Sequence, residues 1–551
     1  MSSEGDRIVF EQSISDTRDE SSDMIFTDQN WTFITDASSN SGNFSGQIVY
    51  DISTLSSQSQ WVDLSQAVIE FPVKMYASTA TAATNAPGPS MMTLKNGFHH
   101  FVSGCSIIIN GQTIQSTQPM ENVAATFRIL SEWSQDTMAK YGRTCGVILD
   151  DCTGDLSKNN GLSNAPVAAA CDGAFSGFRA YGTPKTTIAT ANTQWVSASG
   201  TTWIANRALS ARSSLVSSTN NSVTIQAEAL GVAGMKQAGI ANYTTTTSTY
   251  TANYLATVRL RDICDISNFP VTKNLRGFIY VNYNSATATI TPAITGDLTA
   301  TLVSNVTNGQ TCPFMVDTLP TNALSAAVYN FSASVDGTDS NSISSSARLY
   351  VPYYIASPKA DLALTQTDHF FTTKDKIVNF IPVTAGNSAN VTLTAGVSNP
   401  TGLLLLPLTQ NYGGITMTSP EQSPLDSAPG TSGPFAQLSQ LQVYVGNKPQ
   451  YQNPVNYNVE QWFAENSKTG LGDGLLNDQS SGLLTQQLWE QNHRFYFTNL
   501  SRRTPSEDGA SRSVQVSFTN ATNKNMKVVA IVFYEKKWTI NTGTCAIKSA
   551  T

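Results

Sequence analysis

The chain has 551 residues, 40% of them hydrophobic and only 13% charged, which is enough apolar material for two or more cores but too little charge for long solvated helices. Its formal net charge of -7 excludes a large phosphate-neutralising surface, because that affinity comes from clustered Lys and Arg. Ser, Thr, Asn, Ala and Gly fill many positions, which suits short strands joined by uncharged loops, so an all-β protein is expected.

The first 25 residues hold Glu4, Asp6, Glu11, Asp16, Asp19, Glu20 and Asp23 against Arg7 and Arg18. Residues 1–25 therefore read as a flexible acidic segment, the opposite of a basic genome-binding arm. They carry no apolar run behind a positive flank, so no secretory signal is expected, and no stretch approaches the roughly 18 apolar residues of a membrane span. The product is expected to be soluble and made inside a cell.

Val68-Ile69-Glu70-Phe71-Pro72-Val73 reads as a strand, and Leu403-Leu404-Leu405-Leu406-Pro407-Leu408 echoes it. A longer echo lays Ile107–Phe127 over Val443–Phe463 without gaps. Ile107-Ile108-Ile109 meets Val443-Tyr444-Val445, Asn110-Gly111 meets Gly446-Asn447, and Asn122-Val123-x-x-x-Phe127 meets Asn458-Val459-x-x-x-Phe463. Each copy reads as a strand, a tight turn and an Asn-capped helix with apolar residues at i and i+4. Two echoes in one order predict two copies of one β-rich domain.

The helix beginning at Asn122 is expected to run to Lys140. From about residue 145 to 252 the chain is Ser/Thr/Ala/Asn-rich, as in Thr183–Ser199, and a long polar insertion of this kind belongs in an exposed loop. Beyond it, Tyr254, Ala256, Val258 and Leu260 alternate with Leu255, Thr257, Arg259 and Arg261, a half-buried strand. Turn residues cluster over 305–339, and the domain junction is placed there. Leu349-Tyr350-Val351-Pro352-Tyr353-Tyr354 reads as a strand with its proline at a bend or edge. Further on come a helix over Asn458–Asn466, a short helical segment around Leu483–Glu490 and a return strand at His493–Phe497. Val514, Val516 and Phe518 alternate with polar neighbours. Val528–Tyr534 is continuously apolar, as in a strand covered on both faces, and makes a hairpin with the strand before it.

Motifs for chemistry are few. His99, His100, His369 and His493 have no metal-ligand spacing, and His99-His100 between Phe98 and Phe101 suits a packing role. Gly470-Leu471-Gly472-Asp473-Gly474 lacks the Gly-Lys-Ser/Thr ending of a phosphate loop. Asp336-Gly337-Thr338-Asp339-Ser340-Asn341 lacks the distal Glu of a calcium loop and reads as a turn. Asp150-Asp151 are adjacent and do not span a substrate, and Arg502-Arg503 and Lys536-Lys537 read as solvated strand ends. Seven cysteines without Cys-x-x-Cys specify neither a disulfide framework nor a zinc site, so reduced, partly buried thiols are the default. No catalytic, cofactor-binding or metal residue is assigned, and no enzyme is expected.

Val258-Arg259-Leu260-Arg261-Asp262, Phe269-Pro270-Val271 and Arg276-Gly277-Phe278-Ile279-Tyr280-Val281 together resemble a region of the double jelly-roll major capsid proteins of polinton-like viruses and virophages. The same resemblance extends to Ala347–Pro352, Ser423–Pro429 and Trp489–Arg503, in patches from about residue 94 to the carboxy terminus. It implies two tandem eight-stranded jelly rolls, each with a helix in a loop, over residues 26–325 and 326–551. It further implies homotrimers forming pseudo-hexagonal tiles of an icosahedral shell. The expected location is the virion, with penton and minor capsid proteins as partners, an internal membrane in some such shells, and no direct nucleic-acid contact. The competing readings are a single jelly-roll capsid protein with a protruding domain, a β-sandwich adhesin or glycan-binding surface protein, and a carbohydrate-active enzyme on a jelly-roll scaffold.

Overall fold

A computed structural model describes residues 25–37, 42, 44, 46–58, 60–79, 90–142, 144–147, 214–215, 240–244, 249–291, 301–304, 311–318, 329–339, 342–365, 368–409, 421, 437–466, 482–491, 493–501, 509–521 and 525–549. The acidic segment, most of the 145–252 insertion, Asp150-Asp151, the glycine run at 470–474 and Arg502-Arg503 lie outside the described residues.

Sixteen strands make the framework, eight in each half. In the first half they are β1 Phe26–Thr35, β2 Gln47–Asp51, β3 Val68–Thr79, β4 Val102–Ile109, β5 Gln112–Gln115, β6 Thr249–Arg259, β7 Gly277–Tyr283 and β8 Arg348–Ala356. In the second they are β9 Asp368–Val383, β10 Ser388–Ser398, β11 Pro400–Thr409, β12 Leu438–Val445, β13 Lys448–Pro449, β14 Tyr496–Asn499, β15 Ser511–Asn520 and β16 Met526–Asn541. β8 pairs with β1 and β3, and β6 pairs with β3; β16 pairs with β9 and β11, and β14 pairs with β11. The facing sheets run β2-β7-β4-β5 and β10-β15-β12-β13. All pairings are antiparallel, and adding eight to each strand of the first half gives its counterpart in the second. The protein is a double jelly roll, all-β apart from short helices.

The internal echoes are this repeat seen in sequence. Val68–Val73 and Leu403–Leu408 lie in the equivalent strands β3 and β11, and the longer echo spans β4-turn-β5 and β12-turn-β13 with the helix that follows. Both turns are two-residue hairpins with two left-handed residues, Asn110 and Gly111 (φ 50 and 79) and Gly446 and Asn447 (φ 55 and 65). That backbone matches the twist of the flanking strands, and Asn and Gly adopt it at least cost.

The helices differ in how they begin. In α1, Glu121–Glu132, the cap position is Met120 in the left-handed region with no side-chain bond. Asn122 is therefore inside the helix, where its buried side-chain amide donates to the Thr311 hydroxyl. The expected Asn cap is corrected here, and the expected Asn122–Lys140 helix is broken at Trp133, with a second piece at Gln135–Tyr141 capped by Ser134. In the second copy, helix Val459–Asn466, the cap is as expected: the Asn458 side-chain oxygen accepts from Gln461 N at 2.9 Å.

The expected first domain ends too early. Tyr329–Val335 pairs with the far half of β3, and β8 pairs with β1 and with Val68–Glu70, so the first roll extends past residue 325 to Ala356. Helix α2, Pro358–Thr365, then leads into β9. The turn cluster at 305–339 sits instead in an excursion between β7 and β8 that adds strands Ala286–Thr291 and Thr301–Ser304 to the first sheet. Pro352 falls where the partner of β8 changes from β3 (opposite Arg348–Tyr350) to Trp61–Val62 (opposite Tyr353–Tyr354), a break that tolerates its missing N–H. Among the described residues no helix is long and apolar enough to cross a membrane.

Asn458→Ala removes the one side-chain cap of the second-copy helix. It should lower stability by about 1 kcal/mol, read as a shift of the urea midpoint with unchanged slope.

Candidate functional site

Several of the described residues considered for chemistry have structural roles. His99 is buried, its ring is tilted 40° to that of His100 with centroids 4.2 Å apart, and its Nε2 meets the Thr126 hydroxyl of α1 at 2.9 Å. In the 336–341 segment, the Asp336 carboxylate accepts from Thr338 N at 2.8 Å and from its hydroxyl at 2.7 Å, while Asp339 pairs with Lys74 at 3.2 Å. Asp336–Asp339 thus satisfy their own polar groups as a turn does. Lys536 is not a plain solvated strand end, because its ammonium lies 2.6 Å from the buried Asp375. No group of three or more metal-ligating side chains occurs among the described residues.

What the fold builds instead is a seam. Two apolar cores exist, and each borrows from the other roll. Phe127 of α1 belongs to the second core. Its ring lies 5.8 Å from Trp462, 5.6 Å from Phe495, 5.3 Å from Phe497 and 6.2 Å from Phe533. Ala125, two residues earlier, belongs to the first core, so α1 is clamped between the rolls. In return Phe371, Trp538, Ile540, Cys545 and Ile547 of the second half join the first core, with Phe371 5.3 Å from Phe269. The β16 strand carries this exchange because it runs for 16 residues, from its own roll at Met526 to the neighbouring one at Ile540. Phe495 and Phe497 point outward because Tyr496 between them turns inward, where its hydroxyl accepts from Leu438 N at 3.1 Å. The outer face of β14 and β16 is thus covered by helices from both halves.

Polar groups fix the register of this seam. Lys376 of β9 forms an ion pair with Glu121 of α1, with side chains 4% and 0% exposed. Glu121 also accepts from Gln115 at 3.2 Å. Asp375 accepts from the Ser116 hydroxyl at 2.7 Å and from the Tyr534 hydroxyl at 3.3 Å, besides Lys536. The Asp265 carboxylate accepts from Lys374 N, Asn110 donates to the Cys545 carbonyl at 2.8 Å, and Asn274 donates to the Gly543 carbonyl at 2.7 Å. Leu483 N and Leu484 N both donate to the Leu130 carbonyl at the end of α1. Just before them, Gly482 has φ +64, and a Cβ there would stand 2.5 Å from the Ser131 carbonyl oxygen. A buried pair broken by removing one partner leaves an uncompensated charge, so such bonds penalise any other docking of the halves.

A second surface is exposed. Strand β1 ends its sheet, and no strand among the described residues pairs with its outer edge. Ile34 on one face enters the first core, whereas Trp31 and Phe33 on the other face are 53% and 50% exposed. Phe33 sits 5.8 Å from Tyr350, and the Arg348 guanidinium lies 4.9 Å over its ring. Phe26 and Tyr354 extend the strip at 5.1 Å. Sequence reasoning singled out no strand here. The alternation of Trp31 and Phe33 with Thr32 and Ile34 was the available signal, but it does not say which face is core.

Phe127→Ala should cost roughly 3–5 kcal/mol and raise amide exchange in both β3 and β11, because the two rolls share the seam; acceleration confined to β11 would contradict that coupling. His99 gives a pH dependence. Burial lowers its pKa from the usual value to about 3. The folded state therefore resists a proton that the unfolded state accepts, so this stability is complete above about pH 6.5 and is lost as pH falls toward 3, about 2 kcal/mol of it by pH 5. His99→Gln should show a smaller drop between pH 7 and 5 in urea titrations at the two pH values.

The chain matches no protein-family model and none of the curated proteins by sequence. Comparison with solved structures finds similar folds that span the whole chain. A chain in the cryo-EM structure of the Sputnik virophage aligns with a TM-score of 0.52 at 10% identity, covering 97% of this chain and 90% of that one. The crystal structure of the mavirus major capsid protein aligns at 0.46 and 10% identity over 97% and 94% of the two chains. The Faustovirus major capsid protein aligns at 0.45 and 10% identity over 95% and 92%. The likeness to the Sputnik chain is one of fold and takes in both rolls.

Proposed function

We propose that this chain is a structural major capsid protein, that three copies form a pseudo-hexagonal tile, and that the tiles pave an icosahedral shell. The observation that carries the reading is the seam: two jelly rolls of identical strand order locked into one block by shared cores and a buried ion pair. A tile with six near-equivalent corners built from three chains needs each chain to present two equivalent corners at a fixed angle. The fold likeness to a chain from a virophage particle and the capsid-like patches of sequence support the same reading.

The proposal assigns the exposed strip on β1 and β8 to contact with a second copy. An aromatic strip on an open edge suits burial between subunits. The role is architectural, with no catalytic step, no cofactor and no direct genome contact; the particle is the site of action, and penton and minor capsid proteins are the expected further partners.

Negative-stain microscopy and light scattering of the purified protein test this. Hexagonal trimers or closed shells are the expected result, and a monodisperse monomer at all concentrations overturns it. The double variant Trp31→Ser/Phe33→Ser should shift assembly toward monomer by at least tenfold in concentration while leaving the melting temperature of the monomer within a few degrees.

A further inference from the structure

The first roll contains a pair of thiols that assembly does not use. Cys105 lies on β4, opposite Val281 of β7, and Cys264 follows the one-turn helix Leu260–Ile263 that ends β6. Both are fully buried, and their sulfurs are 2.6 Å apart, between the about 2.05 Å of a disulfide bond and an ordinary non-bonded contact. The backbones that carry them are held together independently of sulfur. Gln115 reaches both: its amide nitrogen is within 3.5 Å of the Cys105 carbonyl and of the Ile263 carbonyl, and its side-chain oxygen accepts from Asp265 N at 3.2 Å. One side chain thus spans the residues on either side of Cys264 and the residue opposite. Cys145, Cys312 and Cys545 are also buried and free, and no other sulfur pair is recorded among the described residues.

We propose that Cys105 and Cys264 are a redox staple: thiols while the chain is in a reducing compartment, and a disulfide once it meets an oxidising one. The bond would join the two facing sheets of the first roll, since β4 belongs to one and β6 to the other. It would also close a loop across 159 residues of separation that contains the whole 145–252 insertion, and long loops gain most from closure. The expectation of simple reduced thiols then holds only for the cell interior.

The chemistry needs an electron acceptor, and a low-molecular-weight disulfide such as oxidised glutathione suffices. One cysteine thiolate attacks it, forming a mixed disulfide and releasing one glutathione thiol. The second cysteine thiolate then attacks the protein sulfur of that mixed disulfide, and the second glutathione leaves as a thiol. Two protein S–H bonds and one glutathione S–S bond are exchanged for one protein S–S bond and two glutathione S–H bonds. Burial raises the Cys264 thiol well above its usual range, with the neighbouring Cys105 adding to the effect, so the closed protein reacts slowly and exchange proceeds through transient opening of the sheets.

The test uses the full chain, purified reduced, then incubated with oxidised glutathione in a sub-denaturing urea concentration and returned to buffer. Free thiols are blocked with iodoacetamide under denaturing conditions, and non-reduced peptides are mapped by mass spectrometry. The expected result is one cross-linked peptide joining Cys105 to Cys264, two hydrogens lighter than the reduced pair. Cys145, Cys312 and Cys545 should remain alkylated. The oxidised chain should melt roughly 5 °C or more above the reduced one, a difference that dithiothreitol abolishes. Cys264→Ser should lose the cross-link and the redox-dependent melting shift, while Cys312→Ser should keep both. Because the shift is read on the unmodified chain with and without reductant, poor folding of a variant does not spare the proposal. Full alkylation of both cysteines, glutathione adducts in place of the cross-link, or a cross-link without a melting shift would overturn it.

Discussion

The structure depends on the placement of one helix between two sandwiches. A β-sandwich is apolar inside and must find cover for any apolar patch left on its outer faces. Here α1 sends Ala125 into one core and Phe127 into the other, while β16 carries Trp538 and Ile540 from the second roll into the first. Removing either element exposes apolar surface in both rolls at once. The two halves are therefore one cooperative unit rather than two domains on a linker, and a rigid angle between them follows without any special hinge.

The polar part of the seam has a different task. Burying Lys376 with Glu121 costs desolvation that their attraction at best roughly offsets, so the pair adds little to stability. Apolar contact alone would let α1 slide along the sheet, because ring against ring is only weakly directional. An ammonium that must meet one carboxylate, and a Gln115 amide that must meet the same carboxylate, admit one docking. That selectivity holds the two rolls at one angle.

Much of this was legible in the chain and part was not, for physical reasons. The strand-turn-strand-helix units at Ile107–Phe127 and Val443–Phe463 were visible because a two-residue hairpin with two left-handed positions restricts the turn to Asn and Gly, and a buried strand to β-branched and aromatic residues. The Asn in each helix misled in one case. Asn458 caps, but Asn122 lies two residues past the cap position, inside the helix, and bonds Thr311 instead, a long-range partner that no local pattern could reveal. The junction was misplaced for a related reason: turn-rich residues around 305–339 look like a linker, yet they are an excursion whose chain returns to pair with β3 and β1. Trp31 and Phe33 stayed hidden because alternation gives two faces and only the tertiary fold says which is wet.

The exchange of strands between the cores also sets an order of events during synthesis. Asn110 bonds a carbonyl 435 residues away, and Ile547, with Phe371, Trp538 and Ile540, lines a core most of whose strands are complete by residue 356. As the chain leaves the ribosome, the first roll cannot close when its own eight strands are out; it must wait with part of its apolar interior open until almost two hundred further residues have appeared. During that interval it is an intermediate with exposed apolar surface and a free β1 edge, the kind of species that holding chaperones recognise. Pseudo-symmetric as the finished block is, its two halves are unequal in time.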